Sequence, residues 1–302
     1  MREVLHTPGK TLRVQIGVVF PQTEIGADAG AVRHYARSVE ELGFAHLLAY
    51  DHVLGADPSV HVGWSGVYDV DTTFHEPFVL FGHLAAVCSL ELVTGIIILP
   101  QRQTALVAKQ AAEVDLLTGG RFRLGVGLGW NAVEYEALGK DFSDCGKRLS
   151  EQIELLRLLT GERSVTFEGA HERVTGAGIA PLPLQRPIPI WVGGSSPAAL
   201  RRIGRLADGW FPQPPQGTSL EEAKAIVDEA ARSAGRDPGA IGMEARITLS
   251  RDDLAGFGSE LEQWQRAGAT HLSLNTMRLG LDSPDAHLEL LHAAAQVAEL
   301  RH

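Results

Sequence analysis

Short, mostly apolar runs alternate along this chain with longer stretches in which apolar residues recur every three or four positions. The first pattern predicts strands buried on both faces, and the second predicts amphipathic helices. Residues 14–20 form the first run, which stops at Pro21. Residues 28–42 follow as a helix, with Asp28 placed to cap it and Gly43 placed to end it. Further strands are predicted at 45–50, 92–99, 122–126, 188–192, 209–211, 243–249 and 269–274. Further helices are predicted at 76–89, 104–117, 131–138, 149–159, 197–206, 220–234, 254–267 and 285–300. The rhythm breaks twice. Residues 55–75 are rich in Gly, His and aromatic side chains and show no period. Residues 161–187 read as a hairpin, 165–167 against 171–175 around Gly169, with an extended tail carrying Pro181, Pro183 and Pro187.

Eight strand–helix units in about 290 residues point to a closed parallel sheet rather than a doubly wound one. The expected fold is an α/β (β/α)8 TIM barrel, one domain over residues 1–302, with 161–187 inserted before the fifth strand. Two domains of ordinary size would also fit 302 residues, but no linker or low-complexity segment divides the chain. Composition narrows the function. The 44% hydrophobic and 21% charged content suits a globular core and not a disordered chain. A net charge of −10, from 37 acidic and 27 basic residues, argues against sequence-blind nucleic-acid binding. Cys88 and Cys145 make no disulfide framework, so a reducing cytoplasm is the simplest compartment. No apolar run approaches the roughly 20 residues of a membrane span. Residues 1–10 lack the apolar centre of a signal peptide.

In such a barrel the chemistry belongs at the C-terminal ends of the strands. Gly193, Gly194, Ser195 and Ser196 follow a strand and open a helix, a form suited to cradling a phosphate. A plain strand–helix turn with a serine cap reads equally well. Gly125, Gly127 and Gly129 lack the dinucleotide fingerprint spacing. They fit either close backbone approach to a flat ligand or a glycine-rich barrel corner. Asp51 and His52 end the second strand, where a carboxylate can accept from a ligand N–H and an imidazole can move a proton near neutral pH. A structural histidine is the alternative. Trp64, Tyr68 and Phe74 lie in the long loop after that strand and suit a planar or apolar substrate, or pin the loop to the barrel. The histidines show no metal-ligand spacing, and no Gly-x-Ser-x-Gly elbow is present.

Several segments converge on one family. They are Gly17–Val18–Val19–Phe20–Pro21–Gln22, Tyr50–Asp51–His52–Val53, Thr94–Gly95–Ile96–Ile97–Ile98–Leu99–Pro100, the run Gly119 to Trp130, Glu134 to Gly139, Pro189 to Ser196, and Ala207–Asp208–Gly209–Trp210. In this order and spacing the chain resembles the bacterial luciferase-like superfamily of flavin and deazaflavin oxidoreductases. The resemblance covers about residues 13 to 212. It implies a barrel with an insertion before the fifth strand, and FMN or coenzyme F420 held at the mouth. The Asp51–His52 pair and the Gly193–Ser196 turn resemble the deazaflavin branch more closely. Luciferases carry an arginine near the fourth strand end that helps hold the FMN phosphate; Leu128 stands there in this chain. Deazaflavin sugar-phosphate dehydrogenases carry an acidic glutamate near the position of Trp130. The resemblance further implies that Asp51 bonds the ring edge and that His52 moves the proton coupled to hydride transfer. Gly193, Gly194, Ser195 and Ser196 would then hold the phosphate, and Gly95 and Ile96, joined by a non-proline cis peptide, would brace the ring. A homodimer is implied too, as is a partner flavin reductase if the cofactor is FMN. A non-catalytic flavin-binding protein and a phosphate-sugar isomerase remain as readings from other classes.

Overall fold

The structure is a computed structural model that describes residues 14–300. Residues 1–10, expected to lack a leader, fall outside the described residues. Eight parallel strand positions close into a barrel. They are β1 (Gln15–Val19), β2 (His46–Ala49), a third split into β3 (Glu91–Thr94) and β4 (Ile97–Ile98), β5 (Phe122–Gly127), β8 (Ile190–Gly193), β9 (Gly209–Phe211), β10 (Gly242–Thr248) and β11 (His271–Asn275). The ring closes where β1 pairs with β11, Gln15 opposite His271, and where β3 pairs with β5, Leu92 opposite Phe122. The helices α1 (Ala29–Glu41), α2 (Pro77–Leu84), α3 (Thr104–Thr118), α5 (Cys145–Gly161), α6 (Pro197–Leu206), α7 (Thr218–Ser233), α8 (Leu254–Arg266) and α9 (Pro284–Val297) surround it. A short helix α4 (Ala132–Ala137) sits in the loop after β5, and the antiparallel pair β6 (Val165–Glu168) and β7 (Arg173–Ala177) forms the insertion. No helix among the described residues is long and apolar enough to cross a membrane.

The expected punctuation is where the chain turns. Asp28 caps α1, its carboxylate accepting from the Ala31 N–H at 2.8 Å. Gly119 ends α3 in the left-handed conformation at φ 67°. The insertion is tied down by side chains of the outer helices. Glu151 of α5 accepts from the N–H groups of Ala170 and His171 at 3.0 and 2.9 Å. Asp115 of α3 accepts from those of Leu184 and Gln185 at 2.6 and 3.1 Å.

Three elements depart most from their expected bounds. The third strand is not continuous over 92–99 but is divided into β3 and β4, and the Gly95–Ile96 peptide between them is cis, as the resemblance implied. Helix α2 ends at Leu84 instead of Ser89: the Ala86 and Val87 N–H groups bond the carbonyls three residues back, His83 and Leu84, and the Ser89 N–H goes to Glu40 Oε1 of the neighbouring helix at 2.7 Å. Helix α5 starts at Cys145, four residues before the apolar period begins at Leu149.

Side chains alternate between the barrel interior and the helical shell. On β10 Met243, Ala245 and Ile247 face the shell and are buried, so Glu244, Arg246 and Thr248 point inward. The inward residues near the strand beginnings form a charged plug. Arg123 of β5 donates to Glu244 at 2.7 Å and to Glu91 at 2.8 Å. Glu244 is also held by Ser273 at 2.6 Å and by His46 at 2.9 Å. The Arg123 guanidinium lies 4.5 Å from the centroid of Trp191. Glycine at 209 makes room for that indole, because a Cβ there would stand 2.3 Å from it. Above the plug, Val19, Leu48, Val93, Trp191, Phe211 and Met277 form an apolar layer inside the barrel.

The plug carries a pH dependence. Burial, reinforced by the charges of Arg123 and His46, pushes the His271 imidazole down to about 3. Burial likewise pushes His287 of α9 down to about 4. Both stay neutral in the fold while the unfolded chain takes up protons below its ordinary histidine pKa of about 6.5. The unfolded state therefore binds more protons between that pH and the folded values, and stability falls on acidification through this window. Urea unfolding should show a loss of up to about 1.4 kcal/mol per pH unit for each histidine. His271→Gln should remove its share of that slope; an unaltered slope in the variant would contradict the assignment.

Candidate functional site

The apolar layer is the floor of the barrel mouth, with Tyr50 and Ile96 packed on it. Above it the inward register of β10 brings Arg246, which is exposed and donates to the Tyr50 hydroxyl at 3.0 Å across the mouth. No carboxylate pairs with Arg246 among the described residues. Ile96 meets the ends of β5 and β8: a Cβ on Gly127 would stand 2.7 Å from its Cδ1, and one on Gly193 would stand 3.5 Å from its Cγ2. Gly95 is confined as well, a Cβ there falling 2.3 Å from Leu48. Gly129 turns the chain at φ 68° against Ile98. Thus Gly95, Ile96, Gly127 and Gly193, singled out separately, form one corner of the mouth.

The end of β2 divides its two polar residues. Asp51 faces into the protein. Arg102 donates to its Oδ1 at 2.7 Å and the Ile98 N–H to its Oδ2 at 3.1 Å. Burial pushes the Asp51 carboxyl up, and Arg102 and the Ile98 N–H pull against that shift. The other arm of Arg102 reaches Glu76, the cap of α2, at 3.2 Å. Asp51 therefore joins the second strand to the third strand and to α2, and both oxygens expected to meet a ligand ring are already engaged.

His52 lies on the opposite side of the strand end, its side chain 10% exposed. Its Nδ1 is 3.5 Å from Oε2 of Glu134. Glu134 is fully buried one turn into α4 and accepts from the Val53 N–H, from the Leu54 N–H at 3.4 Å and from Gln101 Nε2 at 3.3 Å. Burial opposes its ionisation, but the bonds from His52 and Val53 outweigh it and hold the carboxyl below its ordinary value. An ionised carboxylate only accepts, so this contact favours the tautomer with its proton on Nδ1 and an Nε2 that accepts. Phe74, Tyr68 and Trp130 stand edge-on around the ring at centroid distances of 4.7, 5.2 and 5.5 Å. Trp64 lies 5.8 Å from Trp130 and donates to the Tyr68 carbonyl at 3.2 Å. A cavity of about 250 Å³ opens beside His52, Tyr68, Phe74 and Asn131. The loop is latched from the last strand: Arg278 donates to the Val67 carbonyl at 3.2 Å, and its own N–H donates to Glu24 after β1 at 2.6 Å.

The Gly193–Ser196 turn has mixed character. Ser196 is the cap of α6, its hydroxyl accepting from the Ala199 N–H at 3.2 Å. Gly194 has φ 149°, and a Cβ on it would stand 2.8 Å from that of Ala199. Ser195 is exposed, and among the described residues no hydrogen bond occupies its hydroxyl.

Two residues of the site, Arg102 and Arg246, carry no flag in a linear reading, and Glu134 enters it only within a family segment, without a role. The spacing Asn131-x-x-Glu134 is that of a capping box, and the structure uses the asparagine as cap while turning the glutamate to His52. Arg246 becomes visible only when the register of β10 is known.

A family model described as luciferase-like monooxygenase matches residues 14–256. An uncharacterized protein of Mycobacterium tuberculosis is 40% identical over 164 residues, 54% of this chain and 56% of that protein. That match thus spans little more than half of the relative's length. An FMNH2-dependent dimethylsulfone monooxygenase of Pseudomonas putida is 29% identical over 254 residues, 76% of this chain and 66% of that protein. Among solved structures, an F420-dependent secondary alcohol dehydrogenase in complex with an F420–acetone adduct aligns with a TM-score of 0.75 at 18% identity, covering 93% of this chain and 99% of that one. A coenzyme F420-dependent tetrahydromethanopterin reductase of Methanopyrus kandleri aligns at 0.72 and 16%, covering 96% and 100%. At these identities the likeness to solved structures is one of fold.

Removing one member of a buried ion pair leaves the other uncompensated. Arg102→Met should therefore lower the urea-unfolding free energy by about 3 kcal/mol. A loss under about 1 kcal/mol would mean that Asp51 does not depend on Arg102, as for a solvent-screened pair.

Proposed function

The chain belongs to the luciferase-like monooxygenase family, and we propose that it is a coenzyme F420-dependent oxidoreductase that moves a hydride to or from a small organic substrate. The observation that carries this reading is His52, backed on Nδ1 by a buried ionised carboxylate and screened from water by three aromatic rings. That is the arrangement of a proton donor or acceptor held in one tautomer. When bound, the deazaflavin supplies the carbon that gives or takes the hydride. The mouth suits such a group on two counts. Arg246 is a cation without a carboxylate, and a reduced ring carries negative charge. Pro197 brings no N–H and Ser196 takes that of Ala199, so the exposed Ser195 hydroxyl and the Ala198 N–H are the donors at the start of α6 that suit a phosphate. In this reading Ile96, Gly95, Gly127 and Gly193 form the wall behind the ring. Gly129 and Gly194 hold the turns, Ser196 fixes α6, and Asp51 positions His52 through the strand end instead of touching the ring. Trp64, Tyr68 and Phe74 face the substrate.

A second reading, an FMN-dependent monooxygenase served by a reductase, is favoured by the identity to the dimethylsulfone monooxygenase. Leu128 weighs against it. Where luciferases place an arginine for the FMN phosphate, this side chain packs with Ile98 and Tyr135 in an apolar cluster.

Fluorescence titration with F420 and with FMN separates the two readings. Saturable F420 binding tighter than FMN binding is expected, and the reverse order would install the second reading. His52→Ala should slow single-turnover hydride transfer by about 10²–10⁴-fold with cofactor affinity nearly unchanged. Glu134→Gln should slow it by roughly tenfold and displace the pH profile, because it removes the charge that fixes the tautomer. Wild-type turnover in His52→Ala would move the proton role elsewhere.

A homodimer is part of the same proposal. Val79 of α2 and Leu106 of α3 are 73% and 53% exposed on neighbouring helices, an apolar face that a second copy would cover. Sedimentation at micromolar concentration should return twice the 32.5 kDa chain mass; a single-chain mass would refute it.

A further inference from the structure

We propose that a groove between α5, α6 and α7, on the outside of the barrel, binds an organic anion carrying phosphate or carboxylate groups. The groove measures about 950 Å³, within the range of small-molecule sites. Four cations line it: Lys147, Arg201, Arg202 and Arg205. The chain as a whole carries −10, so this concentration of positive charge runs against its composition.

Arg202 makes the argument specific. It is 7% exposed, and its Nε and Nη2 donate to neutral oxygens, Ser150 Oγ at 2.8 Å and the Gly146 carbonyl at 2.6 Å. Elsewhere in the fold, arginines at comparable depth have carboxylates: Arg123 has Glu91 and Glu244, and Arg102 has Asp51 and Glu76. Among the described residues no carboxylate pairs with Arg202, Arg201, Arg205 or Lys147. The acids at the rim are engaged, Asp144 with His171 at 3.5 Å and Glu229 with Arg232 at 3.2 Å. Burial, and then the charge of Arg205, already disfavours the Arg202 cation. A buried charge without a counter-charge is costly, and a bound anion supplies the missing partner. Ile226 and Ala230 add an apolar floor for an organic body. The groove reaches the first turn of α6 at Ala198, close in sequence to the Gly193–Ser196 turn. The anion is therefore either the charged end of a molecule entering from the mouth or an independent solute.

Calorimetric titration of the full chain with inorganic pyrophosphate and with citrate tests the site. One saturable site per chain is expected for pyrophosphate, weakening as salt rises. The double variant R201Q/R205Q changes only exposed side chains and should weaken it by roughly tenfold or more. Arg202→Gln should abolish it, with circular dichroism checking that the fold is kept. Absence of saturable binding to millimolar concentration, or unchanged affinity in R201Q/R205Q, would overturn the proposal. F420 and FMN titrations of R201Q/R205Q then separate the sources. A matching loss of cofactor affinity assigns the anion to the cofactor's own charged end, and an unchanged affinity assigns it to a separate solute.

Discussion

Arg123 and Glu244 form an ion pair inside a barrel whose upper half is left free for a ligand. Burying two charges costs several kcal/mol per ion unless geometry and further hydrogen bonds compensate. Here the compensation is dense: Glu91, His46 and Ser273 complete the set, and Trp191 lies against the guanidinium. The plug closes the base of the barrel and holds the indole that becomes the floor of the mouth. It also fixes what stands above. Interior positions recur every second residue, so a strand that places Arg123 at the base must present Gly125 and Gly127 higher up, and one that places Glu244 there must present Arg246 and Thr248. A slip of one residue in β10 would turn Arg246 into the shell, and one in β5 would carry Gly125 and Gly127 away from the interior. Charge pairing at one end of the barrel thereby sets the chemistry available at the other.

The end of the second strand shows the same economy on a smaller scale. Asp51 and His52 are neighbours and point to opposite sides. One holds the strand end to Arg102 and the Ile98 N–H, and the other faces Glu134 and the aromatic rings. Each is matched by a partner from a distant part of the chain, Arg102 after the third strand and Glu134 after the fourth. Gln152 of α5 locks the intervening turn by donating to the Leu99 and Arg102 carbonyls at 3.2 and 3.3 Å. Three successive strand–loop units thus meet around the imidazole and its rings.

Much of this was legible along the chain because local physics decides it. Alternating apolar runs and helical periods delivered the order of strands and helices, and Asp28 and Gly119 marked helix ends through capping chemistry that needs no tertiary context. What was not legible depends on contacts between remote segments. Helix α2 stops early, and the segment after it turns to bond Glu40 of another helix through the Ser89 N–H. The carboxylate at 51 looked available because nothing nearby in sequence revealed Arg102. Glu134 resembled an ordinary capping-box acid until the fold brought it to His52. Ser196 illustrates the reverse case, where the plainer of two readings, a helix cap, is what the hydroxyl does.

The latch over the mouth has a consequence for the life of the chain before it is complete. Arg278 lies just beyond the last strand, yet it ties Glu24 after the first strand to Val67 above the second. The contact spans 254 positions, close to the longest separation available here. During synthesis the loop over His52 emerges early and waits for a segment made near the end. Such long-range closures come late in folding, so a nascent or truncated barrel would carry His52 and its aromatic ring set without the clasp that holds them. The setting of His52 among its rings is thereby completed only when the ring of strands has joined end to end.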